Sequence, residues 1–499
     1  MTNPVTIPQL VTWAGEQYAD DEAVVDTSRR VTFTELATLV RQAATGCRER
    51  GVEPGDRVAI WGPNSLEWVV AALGAVSAGA ALVPLNTRFK GDEAAYILDK
   101  SRARFTFVSP PFLGNDYAGM LDSRFERVLL DEALWAYGES ASYESSADDI
   151  GDVIFTSGTT GRPKGVMTTH EQTVNVFTTW SDVVGLRRDD RYLVVNPFFH
   201  TFGYKAGIIA CLLRGATIVP QPVFDVPTTL DLIGRERITV VPGPPTLYQS
   251  ILDSPDRASY DLSSLRLAVT GAAVVPVALV ERMRAELSFG TVLTAYGLTE
   301  ATGTVSMCRR DDDAVTIATT SGRAIPETEV RVVDPDNEPV ATGLPGEVVV
   351  RGYNVMRGYF EDPVATAETI DTDGWLHTGD VGVLDEHGNL RITDRIKDMY
   401  VVGGFNAYPA EIEQLLATHP SVAEAAVVGV PDERLGEVGK AFVVAKPDAE
   451  VDADEVIAFA RERLANFKVP RSVDVVDILP RNASGKVLKF ELRQKAATS

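Results

Sequence analysis

Short β-branched runs alternate with helical patterns along most of this chain, and that alternation restricts the fold more than any other feature. Arg57–Trp61 (RVAIW), Thr217–Pro220 (TIVP), Thr239–Pro242 (TVVP) and Leu265–Thr270 (LRLAVT) each read as a strand between helical segments. Strands separated by helices make βαβ units, whose sheets are largely parallel and covered on both faces. A chain of 499 residues exceeds one ordinary core, so two or more domains are expected. After Gly322 the pattern changes. Glu329–Val333 and Glu347–Arg351 read as antiparallel strands around a turn-rich segment, and Gly388-Asn389 sits in a further hairpin. The charged stretch Asp394–Asp398 (DRIKD) marks a boundary. Beyond it, Pro409 opens a helix with Ile412, Leu415 and Leu416 on one face. Strands Ala425–Val430 and Ala441–Ala445, a helix Asp454–Leu464 and a strand Val473–Val476 complete a small α/β domain.

Composition removes several function classes. The formal charge of −23 repels nucleic acid, so a phosphate-bearing ligand must be held by a local site rather than by the global field. Cys47, Cys211 and Cys308 form no CxxC pair and the five histidines no HExxH, which argues against a disulfide framework or such a zinc site and fits a reducing cytoplasm. The N-terminal stretch lacks a basic region followed by an apolar one, so no signal peptide is expected. The uncharged run Trp68–Leu85 approaches spanning length, but Gly79 and Pro84 interrupt it. A buried helix ending at Gly79 and then a short strand are expected, with no membrane span.

Thr156–Gly165 (TSGTTGRPKG) follows the apolar strand Val153–Phe155. Glycines among hydroxyl side chains let backbone N–H groups wrap a polyphosphate, with Lys164 adding charge. A Walker A loop would end in GK[ST], and Pro163-Lys164-Gly165 stands there instead.

With Tyr296–Glu300 (YGLTE), Gly346–Tyr359 (GEVVVRGYNVMRGY), Trp375–Asp380 (WLHTGD), Asp394–Asp398, Gly403–Asn406 (GGFN) and Pro480–Lys486 (PRNASGK), this loop makes an ordered series over essentially the whole chain. The series resembles the adenylate-forming superfamily of acyl-CoA synthetases, luciferases and peptide-synthetase adenylation domains. The resemblance implies an α/β fold: a large N-terminal domain of stacked, mainly parallel sheets with helices plus a distorted β-barrel-like subdomain, and a small mobile C-terminal α/β domain. The expected boundaries are residues 1–394 for the nucleotide and acyl domain, 395–398 for a hinge and 399–499 for the mobile domain.

The implied reaction joins a carboxylic acid to ATP, releases pyrophosphate and passes the acyl group to coenzyme A. A carboxylate must then attack an already anionic α-phosphate, so the site has to neutralise both charges. By resemblance, Thr156, Ser157, Gly158, Thr159, Thr160, Gly161 and Lys164 cradle the phosphates, and Thr299 contacts the α-phosphate. Glu300, with Thr156, holds Mg²⁺. Gly271, Ala272, Ala273 and Tyr296 flank adenine. Asp380 accepts from the ribose hydroxyls, with Arg395 as its partner and Ile392 nearby. Lys486 bridges the carboxylate and the phosphate. Because it fills the space a thiol needs, the small domain must turn about Lys397, bringing Gly403, Gly404 and Phe405 to a pantetheine tunnel.

Asp394 stands where many members have Gly, Asn482 where Thr is frequent, and Phe405 where Glu often follows the paired glycines, which leaves the tunnel contacts open. His200, in NPFFHTFG, occupies the place where amino-acid-activating domains usually carry an ammonium-binding Asp, and reads as a gate or wall of the acyl pocket. Longer strings, at 196–217, 240–255 and 295–323, resemble actinobacterial ligases of steroid catabolism that act on a propanoate retaining rings C and D. A bulky bicyclic or medium-length alicyclic acid is therefore the expected substrate. An amine or a carrier-protein thiol remains open as the acceptor, and a homodimer as the assembly.

Overall fold

The structure, a computed structural model, describes residues 4–27, 29–138, 143–156, 163–271, 275–395, 398–402, 405–432, 434–447, 449–464, 466–481 and 487–498, without the side chains of 405, 406, 497 and 498. These residues fall into two compact units, Met1–Val330 with Val350–Leu376, and Arg331–Val349 with His377–Ser499.

The first unit holds two large sheets. Strand order in one is Arg323–Ala324, Ser306–Met307, Thr291–Tyr296, Leu267–Gly271, Val240–Pro242, Arg191–Val194, Thr217–Pro220, Glu22–Val25 and Arg30–Thr32. The other runs Gly358–Tyr359, Lys164–Thr169, Ile150–Thr156, Ala81–Leu85, Arg57–Trp61, Thr106–Val108 and Arg127–Leu129. Central pairs are parallel, as between Arg57–Trp61 and Ala81–Leu85, and antiparallel pairs lie toward the edges, as the alternating pattern implies.

The helix Leu66–Ser77 is buried on every side, so its apolar run faces protein rather than lipid. Ser65 caps it by accepting from the Trp68 N–H at 3.2 Å. It stops at Gly79, whose φ of +98° suits glycine, with the Ala80 N–H turned back to the Ala75 carbonyl. No described helix is long and apolar enough to cross a membrane.

The strand Lys164–Thr169 passes straight into the helix His170–Val184 through a capping box. Gln172 N–H donates to Thr169 Oγ1 and Thr169 N–H to Gln172 Oε1. Burial at this start holds the His170 imidazole down at about 4, against the weaker opposing pull of Asp149. The unfolded chain would take up that proton first, so this contribution to stability is complete above pH ~6.5 and is lost as the pH falls toward ~4. About 3 kcal/mol should disappear across that window, and a His170→Gln variant should lose less; urea unfolding at about pH 4.5 and about pH 7 measures the difference.

A four-stranded sheet, most of whose residues belong to the second unit, orders Thr328–Val333, Gly346–Gly352, Leu376–Leu384 and Leu390–Arg395, the last two forming an antiparallel hairpin around Gly388. A second sheet orders Phe405–Ala407, Tyr400–Val402, Gly436–Ala445 and Val422–Asp432, with Ser472–Val475 parallel to Gly436–Ala445. The helices Pro409–Leu416 and Ala453–Arg461 bury Ile412, Leu416, Val456 and Ala460 in one core with Tyr400, Val427 and Val443.

Candidate active site

The strands Ile150–Thr156 and Lys164–Thr169 are an antiparallel pair in which Thr156 lies opposite Lys164. They close on the glycine-rich loop. Its residues Ser157, Gly158, Thr159, Thr160 and Gly161 lie outside the described ones. At the mouth of this hairpin, Thr156 Oγ1 donates to Glu300 Oε1 at 3.4 Å, and the Tyr359 hydroxyl donates to the same oxygen at 3.0 Å. Lys164 Nζ stands 5.0 Å from the centre of the Tyr359 ring. Burial first, and then the Glu300 charge, raise the Tyr359 phenol above its usual range, so it stays a donor at neutral pH.

Thr299 and Glu300 sit on a 3₁₀ turn, Thr299–Ala301, reached directly from the strand Thr291–Tyr296. The Met356 N–H fixes the Glu300 carbonyl at 2.9 Å. Gly297 must be glycine, since a Cβ there would come within 2.1 Å of the Gly303 carbonyl oxygen as the segment folds back. Gly303 has φ +94°, and a Cβ on it would lie 2.3 Å from Thr201 Cγ2. The turn bearing Glu300 is thereby packed against the segment bearing His200.

Gly271 lies opposite Ala295 in the parallel pair of strands, one residue before Tyr296, and a Cβ on it would come within 2.7 Å of the Ala295 carbonyl oxygen. The two proposed adenine walls are therefore neighbouring strand ends; Ala272 and Ala273 lie outside the described residues. His200 precedes an eight-residue π-helical segment, Phe202–Ile209. His200 is exposed, yet the protein packed around it disfavours the charged imidazole and lowers its pKa. The Phe202 N–H donates to Nδ1 at 3.2 Å, which places the proton of the neutral ring on Nε2.

In the second unit, Asp380 and Arg395 are register partners, and Arg395 Nε lies 2.8 Å from Asp380 Oδ1. Ile392 stands on the same strand opposite Gly382. The Gly379 N–H donates to Glu347 Oε1 at 3.0 Å, and His377 Nδ1 lies 2.9 Å from Glu347 Oε2, which fixes the backbone leading into Asp380. Asp394 accepts from the Ala410 N–H at 2.8 Å, so it caps the helix Pro409–Leu416, and burial pushes its carboxyl up to about 6. Lys397, Gly403, Gly404 and Lys486 lie outside the described residues, and Phe405 is described only as backbone of a strand.

The motif ending at Tyr359 does not itself mark that residue's task. An aromatic closing a glycine-rich motif carries no sign of its carboxylate partner, 59 positions away. Glu347 and the helix cap by Asp394 were missed for the same reason.

Known proteins resemble this chain over nearly its whole length. AMP-binding enzyme matches residues 11–360, and the AMP-binding enzyme C-terminal domain matches 411–486. The chain is 54% identical, over 99% of each sequence, to a 7a-methyl-1,5-dioxo-octahydro-1H-inden-4-yl propanoyl:CoA ligase from Rhodococcus jostii. It is 53% identical to the ligase of that name from Mycobacterium tuberculosis, over 98% of each. Among solved structures, ATP-bound MatB from Rhodopseudomonas palustris superposes with a TM-score of 0.89 at 31% identity, covering 98% of each chain. The chain belongs to the AMP-binding enzyme family and is an ATP-dependent acyl-CoA synthetase of its adenylate-forming kind.

Proposed function

We propose that the acid is a bulky bicyclic propanoate, the methyl-dioxo-octahydroindenyl acid named for the two relatives, or a close alicyclic analogue. The observation that carries this reading is near-complete coverage at 54% identity, which takes in the segment that bears His200. His200 forms a wall of the acyl cavity and turns its Nε2–H toward the acid. A CoA-dependent screen of steroid-ring, aromatic and fatty acids, scored by kcat/KM, tests it. The bicyclic propanoate should lead by at least about tenfold, since a well-filled apolar pocket separates acids by roughly 1–3 kcal/mol. A fatty or aromatic acid in first place would sink the assignment. Replacing CoA by amines in the same screen, with products read by mass, separates the thiol acceptor from an amide-forming alternative.

Glu300 fits a Mg²⁺ ion. Its carboxylate is a hard oxygen ligand met on one oxygen by neutral hydroxyls. An ion of this kind is commonly shared between one or two carboxylates and substrate phosphates. Such an ion supplies charge neutralisation for the departing pyrophosphate. The chain's own residues do the rest. Thr156, Lys164 and the loop hold the phosphates, and Thr299 meets the α-phosphate. Tyr296 and Gly271 flank adenine, and Asp380 with Arg395 takes the ribose. Lys486 bridges the two anions as the carboxylate oxygen bonds to phosphorus and the bond to pyrophosphate breaks.

For the second step, we assign residues 395–398 as a hinge about Lys397 and 399–499 as the turning part, with Gly403 and Gly404 lining the thiol path. Gly404→Leu should lower thioester formation by about a hundredfold or more while pyrophosphate release continues. Equal loss of pyrophosphate release would remove Gly404 from the tunnel. The three cysteines are free and buried, in keeping with work in a reducing cytoplasm.

A further inference from the structure

Three polar side chains to which the adenylation scheme gives no task are sealed in the first unit. Lys205 and Thr168 are fully buried, as is Asp152. Lys205 Nζ lies 2.9 Å from Asp152 Oδ2 and donates to Thr168 Oγ1 at 2.6 Å. That hydroxyl in turn donates to Asp152 Oδ1 at 2.7 Å. Asp152 and Thr168 are register partners in the hairpin, and four residues further along each strand stand Thr156 and Lys164. Lys205 comes from the π-helical segment that begins two residues after His200. The triad thus ties the acyl wall to the strands that frame the phosphate loop.

Stability does not explain it. Burial works against the ammonium form of Lys205, lowering its pKa despite the opposing pull of Asp152. Apolar residues of similar volume often hold such a core as well as a sealed ion pair does. What the pair adds is direction: three contacts of fixed geometry admit one register between the two elements. A π segment is a strained form of helix that recurs at functional sites, and this one carries its anchor in its interior.

We propose that Lys205 is a positioning residue which, through Asp152 and Thr168, locks the His200 wall to the phosphate-loop hairpin and so couples acid binding to ATP binding. Acid seated against His200 holds the π segment, the triad passes that constraint to the strands of the hairpin, and ATP then binds beside Thr156 and Lys164 already held in register. By linkage, ATP must strengthen acid binding by the same factor.

The test compares the charge-free pair Lys205→Met/Asp152→Leu and the single variant Thr168→Val with the parent. Melting temperature, ATP affinity with and without acid, and the acid KM and kcat for pyrophosphate release are measured, with the bicyclic diketo-propanoate as the acid. The double variant should melt at or above the parent. It should bind ATP alone like the parent, and kcat at saturating acid should change less than about twofold. Its acid KM should rise about tenfold, and the effect of acid on ATP affinity should vanish. Thr168→Val, which keeps both charges, should raise the acid KM about threefold. Parental acid KM and coupling in both variants would overturn the proposal and leave the triad purely structural. If the double variant does not fold, a parental acid KM and coupling in Thr168→Val overturn it alone. Turnover of the same acid by the parent tests the substrate reading independently.

Discussion

Lys486→Ala should cut adenylate formation by about a thousandfold or more, yet spare most of the thiol transfer from a supplied acyl-adenylate. The expectation follows from charge. A carboxylate approaching an anionic α-phosphate meets repulsion that a positioned ammonium group relieves most when the two oxygens crowd one phosphorus, so the loss falls on the transition state of the first step. In the second step the carboxyl carbon is already activated and the nucleophile is a thiol, so that ammonium has no anions to bridge. Pyrophosphate release from acid and ATP measures the first step. Acyl-CoA formed from synthetic acyl-adenylate measures the second. Equal loss in both would end the assignment of Lys486 to one half-reaction, and the alternation about Lys397 with it.

Glu300→Gln should be nearly as severe for adenylation, about a hundredfold to a thousandfold, with the Mg²⁺ concentration for half-maximal rate moved upward. Glutamine keeps the shape and an acceptor oxygen for the Tyr359 and Thr156 hydroxyls, which now meet at Glu300 Oε1. The variant therefore loses charge rather than packing, and its melting temperature should stay within a few degrees of the parent. Transfer from supplied acyl-adenylate, in which no pyrophosphate leaves, should be largely spared. An unchanged Mg²⁺ dependence would overturn the proposed role of Glu300 as a Mg²⁺ ligand.

Much of the fold was legible because local pattern and tertiary role agree. RVAIW is the strand Arg57–Trp61, the run from Trp68 divides into helix and strand at Gly79, and Pro409 opens its helix. Edges were read less well. The strands Val422–Asp432 and Gly436–Ala445 run beyond the apolar stretches that flagged them, because backbone pairing continues where side chains turn polar. The π segment Phe202–Ile209 was invisible to periodicity, since it is buried nearly all round and follows neither helical nor strand spacing. Nor could a linear reading see that Arg331–Val349 groups with His377–Ser499 in one unit.

The site shows the same division. Its motifs put forward Thr156, Lys164, Thr299, Glu300, Asp380 and Arg395 as site residues. In the structure, Thr156 and Lys164 face one another beside Glu300, and Asp380 pairs with Arg395. What supports them stayed hidden. Tyr359, Glu347 and the sealed Asp152–Lys205 pair act through partners remote in sequence, and a single Asp in an apolar strand or Lys in an apolar helix gives no hint of its counter-ion.

Oxygen tracing tests the chemistry most directly. Acid carrying ¹⁸O in both carboxylate positions is turned over with ATP, Mg²⁺ and CoA, and the nucleotide and phosphate products are weighed by mass spectrometry. One ¹⁸O per turnover should appear in AMP and none in pyrophosphate, because the oxygen that bonds to the α-phosphorus stays there when the thiol displaces the nucleotide. Label in inorganic phosphate with ADP as co-product, or AMP free of ¹⁸O, would contradict an acyl-adenylate intermediate.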